Sequence, residues 1–455
     1  MNFISQRSEG FNMDEKVELK EELRREIGIF PAVATVVGLV IGSGVFFKPG
    51  KVFASTQDIT WGILAWVLGG VITLLAGLTI AELAAAIPQT GGLYAWLHRI
   101  YGRMSSFLYG WIYTIIVGPG TIAALAIIFA IQVQVFFPMP NLSMKLVAIG
   151  IMLLLTLSNY FGAKYGGYIQ TVSTVAKLIP LLMIIAVGLT RGTGGQAMAE
   201  GAFSGAGFSA ALVAALWAYD GWQTIGNISG ELKNPRRDLP LSIILGIVIV
   251  AVVYTAINIA IVRTLPLDTI AGAGTTAINL VSDRLFGEFG ATLLAIGIMI
   301  SIFGCLNGHV LTDPRIPFAM AQGGDFPRIL RRLSPYKTPT NAFLLQTLLA
   351  SIYIATGTFD ALTNLVVFTM YIFFVAGMVG VMILRRREPN LRRPYTVPLY
   401  PVVPVLGIIG GIYILYSTLA TDTANALYGV VVTLLGIPFF YLFNRKYFLP
   451  ALEKE

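Results

Sequence analysis

Cysteine, histidine and charge are scarce in this chain. The single cysteine, Cys305, sits inside an apolar stretch, so no intrachain disulfide can form. With two histidines and no cluster of His, Cys and carboxylates, nothing points to a metal site, a cofactor or a catalytic constellation, which argues against an enzyme. Only 12% of the 455 residues are charged while 56% are apolar, and the mean hydropathy is +0.77. That balance excludes an ordinary soluble domain and indicates a polytopic membrane protein in contact with a lipid bilayer. A secretory leader is absent as well: residues 1–29 are polar and charged, so the first hydrophobic segment is expected to persist as a membrane span.

What the chain does have is twelve apolar stretches of about 18 to 30 residues, each long enough to cross about 30 Å of hydrocarbon. They begin at Phe30, Trp61, Met104, Leu142, Gly167, Phe208, Leu241, Ala291, Asn341, Ala361, Val402 and Ala424. The net charge of +8 does not indicate nucleic acid, because its distribution follows the membrane. The predicted outer side holds Lys48, Lys51, Lys145, Arg191, Arg263 and Arg284, the membrane interior holds Lys177, and the rest of the 31 lysines and arginines fall inside. By the positive-inside rule both termini are expected in the cytoplasm, with the chain a multi-pass protein of the plasma membrane. Met13 to Ile29 alternates charged and apolar residues at helical spacing and predicts a short amphipathic helix at the membrane surface.

Two of the twelve segments are interrupted. Segment 1 carries Ile41-Gly42-Ser43-Gly44-Val45 in mid-span, and segment 6 carries Trp217-Ala218-Tyr219-Asp220-Gly221-Trp222. Glycine is unfavourable inside a helix, and an unpaired backbone group in hydrocarbon costs several kcal/mol, so a break at this depth must line a cavity. The breaks open two blocks of five segments, and five is an odd number of crossings, so the second block enters from the opposite side. The expected fold is therefore an all-α polytopic membrane protein with a 5+5 inverted repeat and broken helices 1 and 6. Its parts are a cytoplasmic tail over 1–29, a first repeat over 30–190, an inverted repeat over 207–384, two appended helices over 402–443 and a cytoplasmic tail over 444–455.

The chemistry of the breaks follows from their polarity. The outer half of segment 1 begins near Ser43, Gly44 and Val45, where free N–H groups and a positive dipole end suit a carboxylate, with Gly42 beside them and the Ser43 hydroxyl as a further donor. Segment 6 runs the other way. Its first half ends near Trp217, and the carbonyls of Leu216, Trp217, Ala218 and Tyr219 suit an ammonium group. A donor cluster beside an acceptor cluster matches the two ends of an α-amino acid. One glycine-rich break alone is equally a close helix contact, but a pair with no charged cradle nearby favours a binding site.

Around the breaks stand several polar or aromatic candidates. Trp217 is placed to lie over a ligand as a gate, while Tyr219 fits packing as well. Asp220 is a possible amine partner or proton carrier, but it directly precedes the resumed half-helix and reads rather as its N-cap. Lys177 lies about ten residues from either end of segment 5, roughly 15 Å of helix, too deep to reach an interface. It is expected to face the bundle interior, near Ser173 and Thr174, and to hold the unwound backbone of segment 1 as a bound sodium ion would; the alternative is a structural charge that locks helices together. Tyr254, Asn258 and Asn307 are possible cavity-lining groups or interhelical hydrogen-bond partners, and His309, near the inner end of segment 8, reads as a boundary residue rather than a proton relay. Glu82 suits either a gate or a plain ion pair.

Taken together, Ile41-Gly42-Ser43-Gly44-Val45-Phe46, Pro88-Gln89-Thr90-Gly91-Gly92-Leu93-Tyr94, Ala218-Tyr219-Asp220-Gly221-Trp222, Glu231-Leu232-Lys233-Asn234-Pro235 and Phe303-Gly304-Cys305-Leu306-Asn307-Gly308 resemble the L-type amino acid transporters of the amino acid-polyamine-organocation superfamily. The likeness covers nearly the whole membrane domain and is greatest to bacterial exchangers of serine and threonine, or of alanine, serine and cysteine. It implies a leucine-transporter-like fold and sodium-independent exchange of small neutral L-amino acids. By the same resemblance Gly42, Ser43 and Gly44 would meet the substrate carboxylate, the carbonyls around Trp217 and Ala218 the amino group, Trp217 would be the outer gate and Lys177 would stand near the sodium site of coupled relatives. Animal members join a heavy subunit through a cysteine between segments 3 and 4; Phe136 to Lys145 contains none, so no disulfide-linked heavy subunit is expected. Two other activities remain open from the sequence: a proton-coupled symporter and a non-transporting amino acid sensor.

Overall fold

The computed structural model of the chain describes residues 25, 27–192, 204–356 and 359–443. The amphipathic helix expected from Met13, apart from its last residues, and the tail 444–455 lie outside the described residues. Among the described residues the fold is helical, with one isolated parallel bridge between Ile27 and Leu232.

In chain order the helices are α1 (Ile29–Val40), α2 (Gly44–Phe47), α3 (Pro49–Thr56), α4 (Ile59–Ala86), α5 (Leu93–Tyr101), α6 (Arg103–Ile112), α7 (Gly118–Gln134), α8 (Asn141–Tyr160) and α9 (Ala163–Arg191). They continue as α10 (Gly205–Ala218), α11 (Pro235–Thr264), α12 (Leu267–Ala273), α13 (Ala277–Thr312), α14 (Arg315–Gln322), α15 (Thr340–Thr356), α16 (Phe359–Arg387), α17 (Val402–Thr421) and α18 (Thr423–Phe443). Ten stretches among the described residues are long and apolar enough to cross a membrane, and α15 is a shorter apolar helix. The solvent such helices meet is hydrocarbon: α8, α9 and α17 turn Leu157, Ile179 and Ile409 outward, each more than half exposed, while Ser301, Asn307 and Thr312 of α13 are fully buried.

Local chemistry sets the ends and bends. Asp58 caps α4 by accepting the Trp61 amide at 2.8 Å, and Ser204 caps α10 by accepting the Gly207 amide at 3.2 Å. In the long third segment the sequence carries Gly118-Pro119-Gly120: Pro119 has no N–H to donate, and the turn before it, Tyr113–Val117, widens to π-helical spacing. The loop after α11 folds back over α3, bringing the Gly274 carbonyl so close to Gly50 that a Cβ there would lie 2.1 Å from it. At the centre, α1 is enclosed by α9, α11 and α13, while α4 packs along α11 and α10. That arrangement holds both interruptions in the middle of the protein.

Candidate functional site

The first interruption spans Ile41 to Ser43, between α1 and α2. A helix that stops in the protein interior leaves its last carbonyls without intrahelical donors. Here side chains from three other helices reach them. Lys177 Nζ of α9 donates to the Gly38 carbonyl at 2.7 Å and to that of Ile41 at 2.5 Å. Cys305 Sγ of α13 donates to Leu39 O at 2.9 Å, the Tyr254 hydroxyl of α11 to Val40 O at 2.8 Å, and Ser301 of α13 to Ile41 O at 3.3 Å. Lys177 is fully buried, and these carbonyls are the hydrogen-bond partners that such an ammonium needs. Neither Ser173 nor Thr174 takes that part: Thr174 donates to Ala34 O at 3.1 Å, and Ser173 packs where a Cβ on Gly304 would touch it.

Beyond the break the chain is ready to donate. The Lys48 backbone is helical and Val52 N bonds to Lys48 O at 2.9 Å, so α2 and α3 run on as one bent helix whose first amides belong to Gly44 and Val45. Those amides precede any intrahelical acceptor. The Ser43 hydroxyl is buried and has no hydrogen-bond partner among the described residues.

The second interruption, Tyr219 to Gly221, lies directly against the first. A Cβ added to Gly44 would stand 2.4 Å from Ala218 Cα, closer than a side chain can come, so glycine at 44 is what lets the two breaks touch. Gly221 has φ +106, in the left-handed region, and faces the Leu39 carbonyl. Ala218 O lies 3.0 Å from the same Tyr254 hydroxyl, whose one proton is shared between the two carbonyls, so one side chain of α11 ties both breaks together. The carbonyls of Leu216 and Trp217 each accept a turn amide, from Tyr219 at 3.1 Å and Asp220 at 3.2 Å.

Between the breaks is a cavity of about 20 Å³, lined by Gly42, Ser43, Gly44, Trp217, Asp220 and His309 among others. Trp217 is therefore on its wall. Tyr219 is turned away: its ring packs 5.0 Å from that of Tyr254 and its hydroxyl donates to Trp66 O at 3.1 Å. Asn258 donates to the Tyr254 carbonyl of its own helix. Asn307 belongs to a separate polar cluster, donating to Gly166 O at 3.0 Å and accepting from Asn159 at 2.9 Å, so it ties α13 to α8 and α9 and is not among the residues lining the small cavity.

Two expectations change. The resumed half of segment 6 is a 3-10 helix, Trp222–Glu231, with Gly221 at its N-cap and no side-chain cap, so Asp220 does not act as the N-cap. Its carboxylate instead lines the cavity and accepts from Gln223 at 3.3 Å. His309 does lie in the last turn of α13, as expected of a segment end, but not at a surface. It is buried on the cavity wall with Nδ1 3.1 Å from Asp313 Oδ2, and Asp313 accepts the Tyr113 hydroxyl at 2.8 Å from the π-helical turn. Ser301, Cys305, His309 and Asp313 recur every four residues, one helical face, and that spacing was the available signal.

Ion pairs join helix ends on the side of the Glu82 end of α4. Glu82 of α4 holds Arg385 in a two-point contact at 2.8 and 2.6 Å and lies 3.3 Å from Arg393, so it is a link between α4 and the end of α16. Asp325 takes Arg103 and the Tyr94 hydroxyl, the latter at 2.7 Å. Burial first, and the Asp325 carboxylate second, push the Tyr94 phenol far above its ordinary range.

This architecture has relatives of known activity. The family model for amino acid permeases matches residues 27–443. The serine/threonine exchanger SteT of Bacillus subtilis is 41% identical over 428 residues, covering 93% of this chain and 98% of that protein. The b(0,+)-type amino acid transporter 1 of Mus musculus is 29% identical over 453 residues, covering 97% of this chain and 92% of its own. The Asc-type amino acid transporter 1 of Mus musculus is 29% identical over 434 residues, covering 92% and 81%. With the match running from the bridge at Ile27 to the end of α18, this chain belongs to the amino acid permease family.

Proposed function

We propose that the chain is a sodium-independent exchanger of small neutral L-amino acids such as serine, threonine, alanine and cysteine, working by alternating access in the plasma membrane. The observation that carries this reading is the division of labour at the first break. The α1 carbonyls are engaged by Lys177, Tyr254, Ser301 and Cys305, while the Ser43 hydroxyl and the first amides of α2 are left to receive a carboxylate. The substrate ammonium then meets the carbonyls of Leu216 to Tyr219, with Gly42 and Val45 flanking the carboxylate and Trp217 as the gate. A fixed Lys177 ammonium in the place of a coupling cation removes the need for sodium.

Adding the interrupted α10 with its 3-10 continuation, and α15, to the ten long spans gives the twelve crossings expected of this function. In that arrangement 30–190 and 207–384 are inverted repeats, 402–443 is appended, and both termini are cytoplasmic. The chain acts without a disulfide-linked heavy subunit. The cavity of about 20 Å³ admits roughly one water, so loading requires one wall to retreat, as alternating access demands.

The test is uptake of labelled serine by proteoliposomes in sodium-free buffer, with and without internal serine. Uptake only into loaded vesicles supports exchange. A second reading, proton-coupled symport, draws on the proximity of Asp220, His309 and Asp313 to the cavity, and uptake into empty vesicles driven by a pH gradient would establish it instead.

A further inference from the structure

A larger cavity lies away from the breaks. It encloses about 380 Å³ between α9 and α13, within the range of roughly 300–1,000 Å³ usual for small-molecule sites. Its walls are apolar, and its depth is formed by Ile184, fully buried, and Leu294, 4% exposed, with the half-buried Ile300 beside them. Among the described residues the lining hydroxyl is Ser282, whose proton is already donated to the Gly290 carbonyl at 3.2 Å, so the lining favours an apolar ligand. The mouth is different. Ile179 is 58% exposed, Met183 38% and Ile296 45%, and all three lie within membrane-crossing stretches.

We infer that this cavity takes an acyl chain of a bilayer lipid. The medium at its mouth is hydrocarbon, an unfilled apolar cavity is destabilising in proportion to its volume, and water finds no polar partners inside. The site also sits where an occupant would matter. Pro180 on its wall is one turn from Lys177, and Ile300 adjoins Ser301, and both Lys177 and Ser301 hold the Ile41 carbonyl. On the side where Gly297 meets Pro180, a Cβ on the glycine would be 2.6 Å from the proline ring, so α9 and α13 touch beside the cavity and part across it. A chain between them sets the spacing of the two helices that grip the break. The binding claim stands whether or not the protein exchanges amino acids.

Photolabelling tests it. The protein is reconstituted in phosphatidylcholine vesicles containing a phosphatidylcholine with a diazirine in mid-chain, irradiated, and the modified residues are mapped by mass spectrometry. Label is expected on the buried Ile184 or Leu294 as well as on the outward-facing Val175 and Leu182, which are 60% and 54% exposed. In Ala176→Trp, whose indole fills the cavity, label at the buried positions should be lost while that at Leu182 stays. Label confined to the outward-facing residues of the unmodified protein overturns the proposal, as does undiminished buried label in the filled variant. The map of the unmodified protein decides the matter alone if Ala176→Trp does not fold.

Discussion

Lys177 Nζ bridges the carbonyls of Gly38 and Ile41, at 2.7 and 2.5 Å, and so clamps the end of α1 from α9. Hydrogen bonds to a charged group contribute about 1.5–3 kcal/mol each, and losing this pair frees the break that shapes the site. Lys177→Ala should lower serine exchange by about ten- to a hundredfold while the purified protein stays monodisperse. Initial rates in proteoliposomes check this, and unchanged turnover would make the lysine only a strut.

Gly44→Leu should abolish the contact between the breaks, because a Cβ there meets Ala218 Cα at 2.4 Å. Overpacking of this kind costs about 1–3 kcal/mol, so serine binding measured by isothermal titration should weaken at least about tenfold. Normal affinity in this variant would remove Gly44 from the carboxylate site.

Tyr254→Phe deletes one hydroxyl that serves Val40 O and Ala218 O together. Leaving buried acceptors short of a donor costs about 1–3 kcal/mol. We expect a lower melting temperature and an exchange rate reduced about tenfold, with both effects smaller in Asn258→Ala, whose amide donates only within its own helix.

Glu388, just past α16, pairs with Arg99 at 2.7 Å. Hydrogen bonding to Arg99 is the main cause that holds the Glu388 carboxyl below its ordinary value of 4.5. Its stabilisation is therefore complete above that value and is lost as pH falls through the lowered one. The pair is partly exposed and contributes at most about 1 kcal/mol. Glu388→Gln should melt slightly lower than the unmodified protein at pH 7, and the gap should close in acid; a gap that widens in acid would contradict the assignment.

Much of this was legible in the sequence because membrane burial constrains the chain so strongly. A glycine-serine-glycine run cannot be idle at mid-span, and a lysine too deep to reach an interface must find carbonyls, so the breaks and Lys177 stood out. What escaped were residues whose role depends on register between helices. Ser301 and Cys305 look like ordinary small residues until α13 is laid along α1, and His309, in the last turn of α13, meets the cavity only because that helix end packs against the breaks. Asp220 resembled a cap since its position before Gly221 suits one, but the positive φ of Gly221 turns the chain and leaves the carboxylate on the cavity. Tyr219 was ambiguous for the same reason, as its packing on Trp66 and Tyr254 is set by α4 and α11, far away in sequence.

The most direct measurement is labelled serine uptake in sodium-free buffer by vesicles loaded with serine or left empty, with Lys177→Ala beside the unmodified protein. Exchange clamped by Lys177 predicts rapid uptake into loaded vesicles, little into empty ones, and a loss of about tenfold or more in the variant. Equal uptake by empty and loaded vesicles would contradict it.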